Sequence, residues 1–314
     1  MKKNKIAFLT SIIFITVITF IIPKKAAGQT VSLSISPPLF EAMIAPGKEV
    51  TQSFIFINNA SEQIFSTNIY YLTSEDEFGN VTLGKNLKEY DPNNFSSWFT
   101  LLKPTIPFGG KFFLPRGASQ EIILKINIPQ ETPEGDYYFT LVFETVSEGQ
   151  IKSQGSFTKA KIGTNILISV TSSGQPEKTG QIVAFKAPKI IDSLQKFHYL
   201  VTIANTGKTF FKPQGEIIVK PTFGREIKLS LAPLNILSLS KRQIPCIKDE
   251  ALIRCNPQQK VYLGFYKATL KFKPDETSNT YEATRLTFAF PFTLLLAFAL
   301  ILVILRLLIR KVKS

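Results

Sequence analysis

The sequence is poor in residues that do chemistry. Its 314 residues include one histidine, two cysteines and one tryptophan. A Ser-His-Asp or Cys-His arrangement would have to use His198, which sits within KFHYLVTIA with no acid as a near neighbour. Two cysteines and one histidine also lack the spacing of a zinc site. No Gly-rich phosphate loop or dinucleotide fingerprint occurs. SEDEFGN, residues 74 to 80, gathers Glu75, Asp76 and Glu77 but offers neither the alternate carboxylates nor the distant bidentate Glu of a calcium loop. It reads as a hairpin turn with a solvated acidic approach. Paired acids for glycoside hydrolysis are not selected by any spacing. These gaps argue against an enzyme, and no catalytic, cofactor-binding or metal-binding residue is assigned.

Acids are also missing from both ends. The opening MKKNKIAFLTSIIFITVITFIIPKKAAGQT carries Lys2, Lys3 and Lys5, then the uncharged apolar run Ile6 to Ile22, then Ala26, Ala27 and Gly28. That order is an export signal peptide over residues 1–28. The run is long for a leader, and Lys24 and Lys25 separate it from the cleavage site, so an uncleaved anchor is the other reading. Leu286 to Leu305 is a second stretch without a charge. At about 1.5 Å per residue, twenty residues of helix span the roughly 30 Å hydrocarbon layer. A core helix would keep a polar face, and this segment has none. Arg306, Arg310, Lys311 and Lys313 then mark the cytoplasmic side. The expectation is a single-pass protein of the cytoplasmic membrane. Its span is 286–309, its basic tail 310–314 is cytoplasmic, and its N-terminus and bulk are extracytoplasmic, at the cell surface.

The formal charge is +14, from 37 basic and 23 acidic residues. Without the leader and tail, residues 29–285 carry 28 basic and 23 acidic, so the excess reports membrane topology and not nucleic-acid binding. The remainder is lopsided: 29–175 hold 10 basic and 14 acidic residues, while 176–285 hold 18 and 9. A basic membrane-proximal half suits anionic lipid or anionic wall polymer, although solvated basic surface is the plainer explanation.

Between the ends the pattern is strands. Short β-branched and aromatic runs recur between Gly, Pro, Asn and Asp turns, as in a β-sandwich. The polar segment TSSGQPEKTGQ, 171 to 181, reads as a linker between a distal sandwich at 29–170 and a membrane-proximal one at 182–285. The halves echo each other. FIFINNASEQIF, 54 to 65, is answered by YLVTIANTGKTFF, 199 to 211, and EGDYYFTLVF, 134 to 143, by LGFYKATLKF, 263 to 272. An all-β ectodomain of two tandem immunoglobulin-like sandwiches follows. Asn59-Ala60-Ser61 is formally a glycosylation acceptor, but Asn58 and Asn59 suit a strand corner, and the corner returns at Asn205 without the sequon.

PPLFEAMIAPGKEVTQSFIFINNASEQIFSTNIYYL resembles the opening of the first domain of WxL-interacting proteins of Gram-positive bacteria. LAPLNILSLSKRQI followed by GFYKATLKF is similar to strands of related membrane-proximal domains. The order of leader, two sandwiches, membrane helix and basic tail is similar too. The resemblance implies peptidoglycan for the first domain and a host or partner protein for the second. Periplasmic pilus chaperones share the Pro-Gly strand and the Asn corner but lack a terminal membrane helix.

Two further features invite a role. Cys246 and Cys255 bracket IKDEALIR, and in an exported protein they suggest one disulfide, with two free thiols as the alternative. YDPNNFSSWFTLLKPTIPFGGKFFLPRG, 90 to 117, holds the only tryptophan among many aromatics. Tyr90, Trp98 and Phe99 are candidate ligand contacts, while Trp98 is equally a plug for the sandwich core. Three functions are open. A surface-anchored binding or adhesion protein needs no catalytic residue. A chaperone-like or assembly subunit would pair an exposed strand with another exported protein, and would need an uncapped edge in the distal domain. An ectoenzyme is weakest, for want of nucleophile, base and metal.

Overall fold

The computed structural model describes residues 33–146 and 160–313, with side chains through Arg310. The expected leader, 1–28, lies outside the described residues. The chain is mostly β-sheet and ends in one apolar helix.

The first pair of sheets is built from ten strands: β1 (Leu33–Ser36), β2 (Leu39–Ile44), β3 (Glu49–Asn58), β4 (Gln63–Ser74), β5 (Val81–Asn86), β6 (Phe99–Lys103), β7 (Lys111–Leu114), β8 (Ser119–Asn127), β9 (Gly135–Thr145) and β10 (Lys161–Val170). One sheet runs β1-β3-β8-β6, and the other β2-β10-β9-β4-β5 with β7 also on β4. Alternation decides which side faces in. On β3 and β8, Phe54, Phe56, Ile122, Leu124 and Ile126 are buried, and they meet Phe65, Ile69, Phe139, Leu141, Phe143, Ile166 and Ile168 of the facing sheet. Phe56 stacks on Phe143 at 4.6 Å and meets Phe65 edge-on at 5.0 Å, so the core is largely aromatic.

A second pair has its own core. Its strands are β11 (Gly180–Lys186), β12 (Ile190–Asp192), β13 (Leu200–Asn205), β14 (Gln214–Pro221), β15 (Ile227–Leu231), β16 (Lys241–Gln243), β17 (Cys246–Lys248), β18 (Ala251–Ile253), β19 (Gly264–Lys273) and β20 (Tyr281–Phe290). The sheets run β11-β13-β16 and β12-β20-β19-β14-β15-β17-β18. Phe185, Val201 and Ile203 face Ile217, Val219, Tyr266, Ala268, Leu270 and Phe272 across the interior. Cys246 and Cys255 are disulfide-bonded. Cys255 bridges to Tyr199, just before β13, while Cys246 lies on β17, so the bond ties the segment beside β13 to the facing sheet.

The two pairs repeat one plan. In each, the first strand is split: β1 joins one sheet and β2 the other, parallel to β10, as β11 and β12 divide with β12 parallel to β20. Thr164 Oγ1 donates to the Pro37 carbonyl at 2.8 Å, and Thr287 Oγ1 to the Pro188 carbonyl at 2.8 Å. Asn58 Nδ2 donates to the carbonyls of Ser61 and Leu114 at 2.8 and 3.0 Å. Asn205 Nδ2 does the same to Thr209 and Ile236, at 2.8 and 3.0 Å. Both asparagines are buried, whereas Asn59 is exposed. The corner therefore belongs to the first asparagine of the pair, as an interior hydrogen-bonding post.

Hydropathy alone misplaced the start of the apolar helix. Leu286–Phe290 complete β20, in register with β19 from Phe265↔Phe288 to Lys267↔Leu286, because Thr287 and Ala289 face the core while their neighbours do not. Pro291 has no amide to extend the ladder, and helix α1 (Phe292–Lys313) follows it directly. Its stretch Phe292–Arg310 is, among the described residues, the one helix long and apolar enough to cross a membrane, and none of it is covered by the rest of the chain. Arg306 and Arg310 lie in its last turns, with Lys311 and Lys313 following on the same helical backbone.

A candidate interaction edge beside a hydrogen-bonded joint

The aromatic stretch does not form a platform. Trp98 and Phe99 are 4% and 5% exposed and belong to the first core, whereas Tyr90 is 50% exposed. Asp91 produces this. Its carboxylate accepts the amides of Phe95 and Ser96 at 2.7 and 2.6 Å, opening a one-turn 3-10 helix, Phe95–Trp98, that turns Trp98 inward. There the indole meets Phe95 and Tyr137 edge-on at 4.8 and 4.9 Å. Burial opposes the charge on Asp91, but the donors of Ser96 and Phe95 outweigh it and hold the carboxyl below the usual range. Tyr90 is left at the surface with Lys85 Nζ 4.4 Å from its ring centre. Trp98 and Phe99 are thus removed as ligand contacts.

Asp76 likewise closes a turn, accepting the amides of Phe78 and Asn80 at 2.8 and 3.1 Å. No group of three or more potential metal ligands occurs among the described residues. His198 is half-buried between Phe197 and Tyr199, and among the described residues it meets no carboxylate.

What the fold does expose is a strand edge. β10 pairs with β9 along its whole length, Lys161↔Glu144 to Val170↔Gly135. On its other side β2 begins only at Asn165↔Leu39. The Thr164–Pro37 bond and the Asn165 amide on the Pro38 carbonyl mark where β2 takes over. Lys161, Ile162, Gly163 and Thr164 therefore have no ladder partner on that side among the described residues. The step opens onto the seam where β1 leaves for the facing sheet, and Leu33, Ile35 and Ile162 are half-buried along it.

Three other edges, those of β6, β5 and β20, are blunted. β6 ends in a bulge between Leu101 and Lys103 followed by Pro104. β5 carries Lys85, and the matching free side of β20 carries Glu282 and Arg285. On β10 the charge is drawn onto the outer face. Lys161 Nζ lies 2.8 Å from Glu144, which also accepts from Asn68 Nδ2 at 3.0 Å, and the hydrogen bond to Glu144 holds the ammonium above its usual range.

Beside this edge, the outer face of the β10 sheet meets the second unit. Asp136 on β9 accepts Ser169 Oγ at 2.6 Å, the Tyr138 hydroxyl, and the Phe210 amide of the second unit at 2.5 Å. The Ser238 amide donates to the Tyr138 oxygen at 2.8 Å. Glu41 on β2 binds Lys212 at 2.7 Å and accepts from Asn235. The Gln243 amide reaches the Glu77 carbonyl at 2.5 Å, and within the second unit Arg242 Nη1 donates to the Asn235 carbonyl at 2.6 Å. Burial pushes the Asp136 carboxyl up despite its donors, and burial with the neighbouring Asp136 charge pushes the Tyr138 phenol up strongly. Sequence reading missed this joint. Its one trace is an acid, Asp136, inside a run that otherwise reads as buried strand.

No family model and no curated protein matches the chain. Among solved structures it is similar to the class 5 fimbriae chaperone CfaA, at 13% identity and a TM-score of 0.38 over 82% of this chain and 99% of that one. The E. coli chaperone DraB matches at 10% identity and 0.35 over 81% and 98%. A chain of the Salmonella enterica SafA pilin–SafB chaperone complex matches at 7% and 0.37 over 82% and 99%. Scores of this size leave function to be argued from the chain's own geometry.

Proposed function

We propose that this is a membrane-anchored extracytoplasmic protein of two tandem immunoglobulin-like sandwiches that pairs with another exported protein by β-strand addition along β10. The unpaired step at Lys161–Thr164 carries this reading. A strand laid against it would satisfy free backbone groups and drop alternate side chains into the seam beside Ile162. The fixed joint holds that edge at a set angle to the second unit and its helix. Orientation follows from Arg306, Arg310, Lys311 and Lys313, which put the helix C-terminus in the cytoplasm. The order of elements keeps kinship with WxL-interacting proteins within this proposal.

Adhesion through peptidoglycan has no comparable feature, since its aromatic platform would have needed Trp98 and Phe99, which are in the core. A photo-crosslinking side chain at Ile162, in the full chain in its native membrane, tests the proposal. The expected result is adducts with one extended segment of one exported protein. A crosslinker at Leu83, on the outer part of β5, gives none. Equal yields at the two sites, or no adduct from Ile162, would sink it.

A further inference from the structure

The helix is not loosely tethered to the second unit. One residue, Pro291, separates β20 from α1, and Asp192, at the end of β12, caps the helix from a different strand. It accepts the Thr293 amide at 2.8 Å and the Thr293 hydroxyl at 3.0 Å. Backbone donors from Leu194 and Thr293 hold that carboxyl below its usual range, as a charge at a helix N-terminus should be. A row of rings continues the connection: Phe265 to Phe288 at 4.8 Å, Phe288 to Phe290 at 6.0 Å, Phe290 to Phe292 at 5.0 Å.

This end of the unit is unusually apolar. Ile190, Leu194, Phe223, Leu263 and Phe265 are all exposed there. Their place is fixed by backbone bonds: Gly264 pairs with Ala289, the Thr222 amide reaches the Phe265 carbonyl at 2.7 Å, and the Tyr262 amide reaches Ser193 at 2.8 Å. Ala289 is two residues from Pro291, so Gly264 sits within roughly 7–10 Å of the helix start. Lys189, Arg225, Lys260 and Lys267 are exposed around the same end, and none meets a carboxylate among the described residues. The nearby acids are committed, Asp192 to the helix and Glu226 to Lys220 at 3.4 Å. Asp249 and Glu250 turn between β17 and β18, at the opposite edge of the sheet from β12.

We propose that this collar seats the second unit on an anionic bilayer, its apolar side chains entering the headgroup–acyl boundary and its lysines and arginine meeting lipid phosphates. The inference rests on α1 spanning that bilayer. A spanning helix rigidly joined to the collar makes the membrane its obligatory neighbour, and the free positive charge matches an anionic leaflet. The collar thereby holds the β10 edge in one orientation above the membrane.

The test uses the full chain in nanodiscs with bromine on the lipid acyl chains. Both native cysteines are bonded, so an introduced cysteine is the only free thiol for a fluorophore. Labels at Phe223→Cys and Leu263→Cys should be quenched strongly in phosphatidylglycerol and less in phosphatidylcholine. A label at Thr277→Cys, in the turn at the far end of β19 and β20, should be quenched little. Each of Lys189→Gln and Lys260→Gln should lower the docked-to-free ratio by roughly fivefold. Equal quenching at the near and far labels overturns the proposal. A response to added polyglycerol phosphate in place of lipid also overturns it and assigns the surface to wall polymer. Ile301→Cys separates the layers. If it is unquenched the helix does not span and both readings fall, and if it is quenched above a silent collar only this inference falls.

Discussion

Asn58 has no solvent exposure, and its side-chain amide serves two carbonyls while its Oδ1 accepts the Ala60 amide at 3.1 Å. Replacing it with alanine leaves those buried groups without partners, at about 1–3 kcal/mol each before relaxation. Asn58→Ala should therefore lower stability by about 2–4 kcal/mol. Asn59→Ala should stay within about 0.5 kcal/mol. Denaturant unfolding in detergent, followed by the fluorescence of Trp98, reads the first unit directly. The corner was legible because an Asn-rich break recurs in both halves. Which asparagine bears it was not, since burial depends on strand register. Asp136 makes a second prediction at this scale. Its folded carboxyl is raised by burial, so the folded state holds the proton longer than the unfolded chain does. Its contribution is full below the ordinary aspartate value and is lost as pH rises through the raised one. The charge faces Ser169, Tyr138, the Phe210 amide and, at longer range, Lys178. Asp91 and Asp275, held low, work in the opposite sense and lose their contribution as pH falls. Asp136→Asn removes the charge and keeps one acceptor oxygen, for the Phe210 amide and the Tyr138 hydroxyl, while its new amide group faces the Ser169 hydroxyl, which can accept. Its stability relative to the native chain should improve as pH rises from about 4 to 7, and a constant difference would count against a titrating joint.

At the scale of elements, Cys246 and Cys255 are nine positions apart in sequence, Cys246 on β17 and Cys255 in a bridge to Tyr199 beside β13. Closing so short a loop removes unfolded-chain freedom worth about 2.5–3 kcal/mol. Cys246→Ser with Cys255→Ser should destabilise the second unit by about that amount, read as a lower denaturant midpoint by circular dichroism. The Trp98 signal should move less, because the indole sits in the other core. Most strands were legible from alternation and turn residues, whereas the end of β20 was not. Apolar run length cannot separate a core strand from a membrane helix, and β20 runs into α1 through a single proline. The split of the first strand between two sheets left no trace either, since Pro37 and Pro38 read only as a break. Without that split the step on β10 cannot be inferred, which is why the candidate edge was expected in kind but not in place.

For the whole molecule, charge is distributed along one axis. Residues 29–175 are net acidic, 176–285 net basic, and the helix ends in Arg306, Arg310, Lys311 and Lys313. On the proposed topology, a first unit with little positive charge would cross the membrane outward without opposing the orientation rule, which counts lysines and arginines close to the span. On that topology the basic collar complicates the rule, because Lys189, Lys260 and Lys267 would lie on the outer side of the same helix. They are dispersed through a folded unit of more than a hundred residues, and charges in long translocated segments carry little weight. The four at the helix end should therefore decide. A reporter active only in the cytoplasm, fused after Ser314, should be active in the native chain. Replacing Arg306, Arg310, Lys311 and Lys313 together with glutamine should reduce that activity and raise the share of chains with an exported C-terminus. If activity is unchanged, the tail does not set the orientation.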